Sequence, residues 1–404
     1  MKRSTDRILT THVGSMPRPA DLAALDPKPG QPFDGEAYAA RLRTATAEIA
    51  RKQVEAGIDV INDGELYKPS WSGYIRSRLS GFENVPVTPE AAAFSMQGSE
   101  AEEFAGYFAE GSTGRGGIGG GGLGAPGGGG RGFPGAGRAP ESVPSGMMLA
   151  CTGPIEYIGQ AEVRRDVENC KAAVQGLDVA DVFMAAVGPD NVGYQPGVNR
   201  YYANETEYID ACAKALREEY KAIVDAGFIL QIDTPVQKFK ALQMELSDFR
   251  GRFDALTDIM NDALRDLPSS QVRLHICYGG GRGPHAGDIM LPDYVDLVFK
   301  INADAVSFDQ NVRHEHEWAM WKERKLPEGK ILIPGVVAHT TDTIEHPDLV
   351  AQRIVRLANL VGRENVIAGT DCGLGGRVHP DIMWAKFRSQ AEGARRATKE
   401  LWGK

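Results

Sequence analysis

The sequence predicts an α/β fold of the (β/α)8, or TIM-barrel, kind. Strand-like and helix-period segments alternate along most of the 404 residues, the pattern of parallel strands joined by helical crossovers. Eight strand-like runs can be counted. Polar and reactive side chains stand at or just past the C-terminal end of nearly every run. A closed barrel brings such ends to one mouth, whereas an open, doubly wound sheet of the same elements spreads them along an edge.

Taken in order, the run 8–14 ends at the turn holding Ser15, with His12 inside it, and 58–64 delivers Glu65. Runs 182–187 and 228–233 follow, the second ending on Asp233. The run 272–277 carries His275 and Cys277, 305–309 ends on Asp309, 331–337 precedes His339, and 366–371 leads to Cys372. Helix-period segments lie between them at 36–56, 205–226, 253–265, 315–323 and 347–361, and 147–159 reads as an extra hairpin. The whole, 1–404, is expected as one barrel domain.

Glycine is the compositional anomaly. Of 48 glycines, 16 fall between Gly111 and Gly137. Such a tract cannot repay the entropy of ordering, so residues 108–140 are expected as a flexible insertion in the second crossover. Its GxGxxG at Gly117, Gly119 and Gly122 has neither a strand before it nor a helix after it, and does not read as a dinucleotide loop.

A net charge of -9, from 45 basic and 54 acidic side chains, repels a phosphate backbone, which argues against a nucleic-acid partner. No stretch approaches the roughly 18 apolar residues of a membrane span, and the first residues lack the apolar core of a signal peptide. A cytoplasmic protein is expected, with a homo-oligomer left open. Five scattered cysteines do not make a disulfide framework in a chain of this length.

The chemistry concentrates in Leu274-His275-Ile276-Cys277-Tyr278. Side chains at i and i+2 of a strand share a face, so His275 and Cys277 project together, about 7 Å apart along the chain. Imidazole nitrogen and thiolate sulfur are ligands that zinc takes. Asp309 and Cys372, at the ends of other strands, could complete a tetrahedral set, with Glu315 as the alternative carboxylate. The loop 279–285, glycine-rich around Arg282, could offer backbone N–H groups and a guanidinium to an anionic substrate tail, or be a solvated turn. His12 either lines the mouth or packs.

In six places, in order, the chain resembles the catalytic zinc barrel of cobalamin-independent methionine synthase and its short relatives, which include epoxyalkane:coenzyme M transferase. The carriers are Thr11-His12-Val13-Gly14-Ser15-Met16-Pro17, Asn62-Asp63-Gly64-Glu65, Gln231-Ile232-Asp233, His275-x-Cys277, Pro334-Gly335 with His339, and Asp371-Cys372-Gly373-Leu374. The resemblance implies zinc held by His275, Cys277, Cys372 and a carboxylate at Asp309, where the family usually shows Glu. It implies Ser15, Glu65 and Asp233 as contacts for an amino acid thiol and His339 as the proton donor. Thr234 stands where the synthases carry Glu, a departure that bears on recognition of the homocysteine amino group.

The expected chemistry is thiol alkylation. A free thiol, with a pKa of about 8.5, is mostly protonated at neutral pH, and coordination removes the proton. The sulfur then attacks an electrophilic carbon while a general acid protonates the leaving group. Methyl transfer to homocysteine or a similar thiol is the first expectation, and epoxide opening by coenzyme M the second. A metal-free barrel related to uroporphyrinogen decarboxylase, and a thiol- or metal-binding protein without catalysis, are the readings from other classes.

Overall fold

Nine strands form among the described residues, most of them apolar runs stopped by a turn or a polar side chain. They are β1 Val60–Asn62, β2 Phe82–Pro86, β3 Met147–Cys151, β4 Asp181–Val187, β5 Ile229–Asp233, β6 Val272–Ile276, β7 Ala305–Phe308, β8 Ile331–Val337 and β9 Gly369–Thr370. The computed structural model describes residues 1–27, 32–94, 98–111, 146–193, 195–236, 242–279, 283–310 and 312–403. Residues 112–140 of the glycine-rich insertion, and Arg282, lie outside them.

Seven strands make one parallel sheet in the order β1-β4-β5-β6-β7-β8-β9. The run 8–14 closes it into a barrel without becoming a strand itself. Thr11 N donates to Ala368 O and Ala368 N to Leu9 O, each at 2.8 Å, while Val60 N donates to Thr10 O at 2.9 Å on the other side. Side chains replace the missing ladder carbonyls: Asp59 Oδ2 accepts from Thr10 N at 2.8 Å, and Thr370 Oγ1 from Val13 N at 3.2 Å. The eighth stave is therefore a bridged segment.

The expected hairpin at 147–159 forms differently. β3 pairs antiparallel with β2, Phe82 opposite Cys151 and Pro86 opposite Met147. The two arms come from either side of the insertion in sequence. The alternation of the run fits a strand, and its partner lies far back in sequence, where periodicity cannot see it.

Helices cover the outside. Pro347–Val361 begins with Pro at its first turn, buries Val350, Ile354, Leu357 and Ala358 at helical spacing, and stops at Gly362. Gly35–Glu55 and Glu205–Asp225 are N-capped by the side chains of Asp34 and Asn204. Leu246–Ala263 starts a full two turns before the expected 253, and 315–323 is a 3-10 turn, Glu315–Lys322. Gln160–Val174 and Pro380–Trp402 complete the long helices. None of the helices described is long and apolar enough to cross a membrane.

Inside the barrel, apolar side chains near the strand starts (Leu9, Ala305, Ile331, Ile333 and Ile367; Val60, Phe183 and Ile229) fill the base. Above them Arg273 spans the interior. Its guanidinium lies 3.5 Å from the Phe183 ring centroid and donates to Gln231 Oε1, Thr11 Oγ1 and His12 O. Alternation then brings His275 and Cys277, two and four residues on, to the inner face toward the mouth.

Candidate metal centre

His275 lies in β6, and Cys277 and Cys372 stand one and two residues beyond the ends of β6 and β9. All three are buried, and their ligand atoms all lie within 4.8 Å of one another. The two sulfurs are 3.8 Å apart. His275 Nδ1 is held by Ser307 Oγ of β7 at 3.2 Å, whereas Nε2, equally buried, has no hydrogen-bond partner among the described residues. One imidazole nitrogen fixed by a neighbour and the other unpaired beside two sulfurs is the disposition of a metal-binding histidine.

Charges around the sulfurs differ. Cys372 is held well below the ordinary thiol range by the adjacent Cys277 and, against burial, by Arg377 and His275. Cys277, facing that sulfur and buried, is pushed well up. For His275 burial opposes the charged ring, but Cys372, Asp233 and Asp309 outweigh it and raise its pKa.

Asp309 is buried next to this group, yet it is not among the residues whose ligand atoms share the 4.8 Å cluster. Glu315, the alternative carboxylate, is engaged elsewhere: Arg353 holds it at 2.8 Å and Arg356 at 3.4 Å. That removes it from the ligand set.

Glu65 follows β1 in a left-handed backbone conformation, φ 55°, which a non-glycine residue adopts at a cost. Its Oε2 lies 3.0 Å from Lys68 Nζ, and both side chains are buried. Lys68 also donates to Ala185 O at 2.7 Å and sits 4.6 Å over the Tyr74 ring. Burial works against the ammonium, but Glu65, Asp233 and Asp63 hold its pKa up. Asp233, with Oδ1 accepting from Gln231 Nε2 at 2.8 Å, is pushed up to about 7 by burial, His275 and Lys68 pulling the other way and Glu65 adding to the rise. Ser15 packs against the Cys372 loop so closely that a Cβ at Gly373 would overlap its Oγ, and Gly375 N donates to Ser15 O at 2.9 Å. Ser15, Glu65, Asp233 and the His275–Cys277–Cys372 cluster thus meet at one mouth.

His12 does not join them. Its ring packs between Phe183 and Phe387, and Nε2 pairs with Gln53 Oε1 at 2.7 Å. Burial drives its pKa down to about 3, so it is a neutral core histidine. His339 is also buried and pushed down to about 3, first by burial. Neither of its ring nitrogens has a partner among the described residues.

The sequence offered His314 either as a partner that orients the ligands or as the exposed start of a helix, and the structure buries it beside the site. His314 stacks on Tyr278, the residue after Cys277, with ring centroids 3.6 Å apart and planes 4° from parallel. Its nitrogens meet Asp288 Oδ2 at 3.0 Å and Glu317 Oε1 at 3.1 Å. Sequence reasoning missed Lys68, Ser307 and Arg377. The only available signal was position, since Lys68 stands one helical turn past Glu65 and Arg377 five residues past Cys372.

The family described as "Cobalamin-independent synthase, Catalytic domain" matches residues 167–393. A methionine synthase of Saccharolobus solfataricus is 28% identical over 205 residues, 50% of this chain and 54% of that protein. A 5-methyltetrahydropteroyltriglutamate–homocysteine methyltransferase of Thermotoga petrophila is 20% identical over 393 residues, 97% of this chain and 44% of that protein. The chain thus spans about half the length of the curated relatives it matches. Among solved structures, a B12-independent methionine synthase from a Shewanella species, in complex with selenomethionine, superposes with a TM-score of 0.68 at 18% identity, covering 98% of this chain and 100% of that one. That likeness shows the barrel fold, and the match over more than half of the residues shows that the chain belongs to the family of cobalamin-independent synthase catalytic domains.

Proposed function

We propose that the protein is a zinc-dependent thiol alkyltransferase whose reaction is methyl transfer to homocysteine or a similar thiol. The observation that carries this reading is the buried His275–Cys277–Cys372 cluster with its unpaired imidazole nitrogen. A buried polar atom left without a partner costs about 1–3 kcal/mol, and two sulfurs with one imidazole are a donor set of catalytic zinc, which leaves a fourth position for substrate. Zinc bound there supplies a lowered thiol pKa at neutral pH.

The chain's own residues do the rest. Ser307 fixes the tautomer and tilt of His275. Arg377 balances the negative charge that two thiolates would place in a dry site. Asp309, at the edge of the cluster, would take the fourth position when no thiol is present and withdraw when one enters. Ser15, Glu65 and Asp233 line the part of the mouth where the thiol's remaining polar groups would lie. His339, buried and neutral, would serve as a hydrogen-bond donor to bound substrate.

The test is incubation of the zinc-loaded protein with homocysteine or 2-mercaptoethanesulfonate, paired in turn with methyl donors and with epoxides, reading products by mass. A methylated or hydroxyalkylated thiol formed faster than without protein is expected. No thioether from any pair, with zinc bound, would falsify the reading.

A further inference from the structure

We infer that His285, oriented by Asp288, is a second catalytic group of this site, the one that gives the departing group its proton. The inference rests on the thiol-alkylation reading above and assigns a step that the metal cluster does not cover.

His285 Nδ1 and Asp288 Oδ2 are 2.7 Å apart, with the histidine side chain 11% exposed and the carboxylate 1%. A carboxylate against one ring nitrogen sets the tautomer and aims the ring, the arrangement by which proteins turn histidine into a proton-transfer group. The same Asp288 oxygen meets His314 Nε2 at 3.0 Å, and His314 stacks on Tyr278 beside Cys277. The pair is therefore tied through two contacts to the strand end that supplies a metal ligand.

The loop is built to hold this ring still. His285 has φ 55°, a left-handed conformation that a non-glycine residue adopts at a cost. Arg313 Nη2 donates to Ala286 O at 3.0 Å, and Gly287 N donates to Glu100 Oε1 at 2.8 Å. Strain held in place by contacts on the next three residues is the mark of an over-determined functional position. His285 also acts electrostatically on His339, disfavouring a charge on that ring. Among the described residues, neither ring nitrogen of His339 has a hydrogen-bond partner to aim it.

The step balances. The thiol releases its proton and its sulfur bonds the carbon. The bond from that carbon to the departing atom breaks, the electron pair stays with the departing atom, and that atom takes the proton of the His285 imidazolium. The proton released by the thiol restores the imidazolium through solvent. A sulfonium donor departs as a neutral sulfide and needs no proton.

The experiment compares wild type with His285→Asn, both zinc-loaded, on 1,2-epoxypropane and 5-methyltetrahydrofolate, which need a proton, and on S-methylmethionine, which does not. The variant is expected to lose about 10²–10⁴-fold on the first two, to stay within about twofold of wild type on the third, to keep its zinc, and to regain turnover when imidazole is added. Where S-methylmethionine is no substrate, imidazole rescue at unchanged zinc content decides. Equal loss on both kinds of donor without rescue, loss of zinc, unimpaired turnover, or wild-type turnover confined to the sulfonium each overturns the assignment. A wild type that alkylates no thiol from any donor overturns the function itself.

Discussion

The carboxylate of Asp371 lies directly over Gly335 and accepts a hydrogen bond from Gln310 N at 2.8 Å. It thereby joins the ends of β9 and β7 across the bare backbone of β8, one residue before Cys372. A Cβ at position 335 would overlap Asp371 Oδ1 and stand 2.6 Å from its Cα. The obstacle is backbone as well as side chain, so rotamer change alone cannot relieve it. Gly335→Ala is expected to destabilise the protein by about 1–3 kcal/mol in urea unfolding and to reduce bound zinc by displacing Cys372. Wild-type stability with full zinc content would show that the bridge does not position the ligand.

The donor set predicts an ordering of metal loss. Wild type should retain about one zinc per chain through dialysis, and Cys277→Ala, Cys372→Ala and His275→Ala should each lose it, since thiolate and imidazole are the bonds that hold it. Asp309→Ala should keep zinc with about a 10–100-fold weaker affinity, the size of effect of a supporting group. Metal analysis after chelator challenge checks this. A loss in Asp309→Ala as deep as in the cysteine variants would make Asp309 a full ligand.

Much of this site was legible because strand periodicity fixes which side chains share a face: His275-x-Cys277 could be read as a pair, and the strand ends named Glu65, Asp233, Asp309 and Cys372. The barrel followed from the same regularity. What escaped depends on pairing at long range. Nothing in 8–14 says that Asp59 and Thr370 side chains take two of its ladder positions, and nothing in 147–159 names 82–86 as partner. His12 sits inside a motif, yet its ring packs on Phe183 and Phe387, from distant segments. Glu315 looks like a ligand until Arg353 and Arg356, on another helix, are seen to hold it.

Glu65 and Lys68 form a buried ion pair at 3.0 Å, the side chains 5% and 2% exposed. Removing one partner strands the other's charge, so Lys68→Met is expected to cost about 3–5 kcal/mol. Removing both should cost much less: the double variant Glu65→Gln/Lys68→Met is expected to be more stable than Lys68→Met alone. Urea unfolding of wild type, both single variants and the double variant measures the coupling. Simple additivity of the single losses would mean that the two charges do not support each other.

His314 gives the stability of the protein a defined alkaline limit. Burial opposes its charge, but hydrogen bonds to Asp288 and Glu317 outweigh it and raise its pKa from 6.5 to about 9. The folded state thus binds the proton more tightly than the unfolded state does. Its contribution is fully present below pH 6.5 and is lost as pH rises through 9, and a shift of this size corresponds to roughly 3 kcal/mol. His314→Gln should therefore be less stable than wild type by the largest margin at pH 6, with the gap narrowing steadily until about pH 9.5. Unfolding free energies at half-unit intervals across that range test the sign. A gap that stays constant, or widens as pH rises, would mean that His314 contributes through its stacking on Tyr278 and not through its charge.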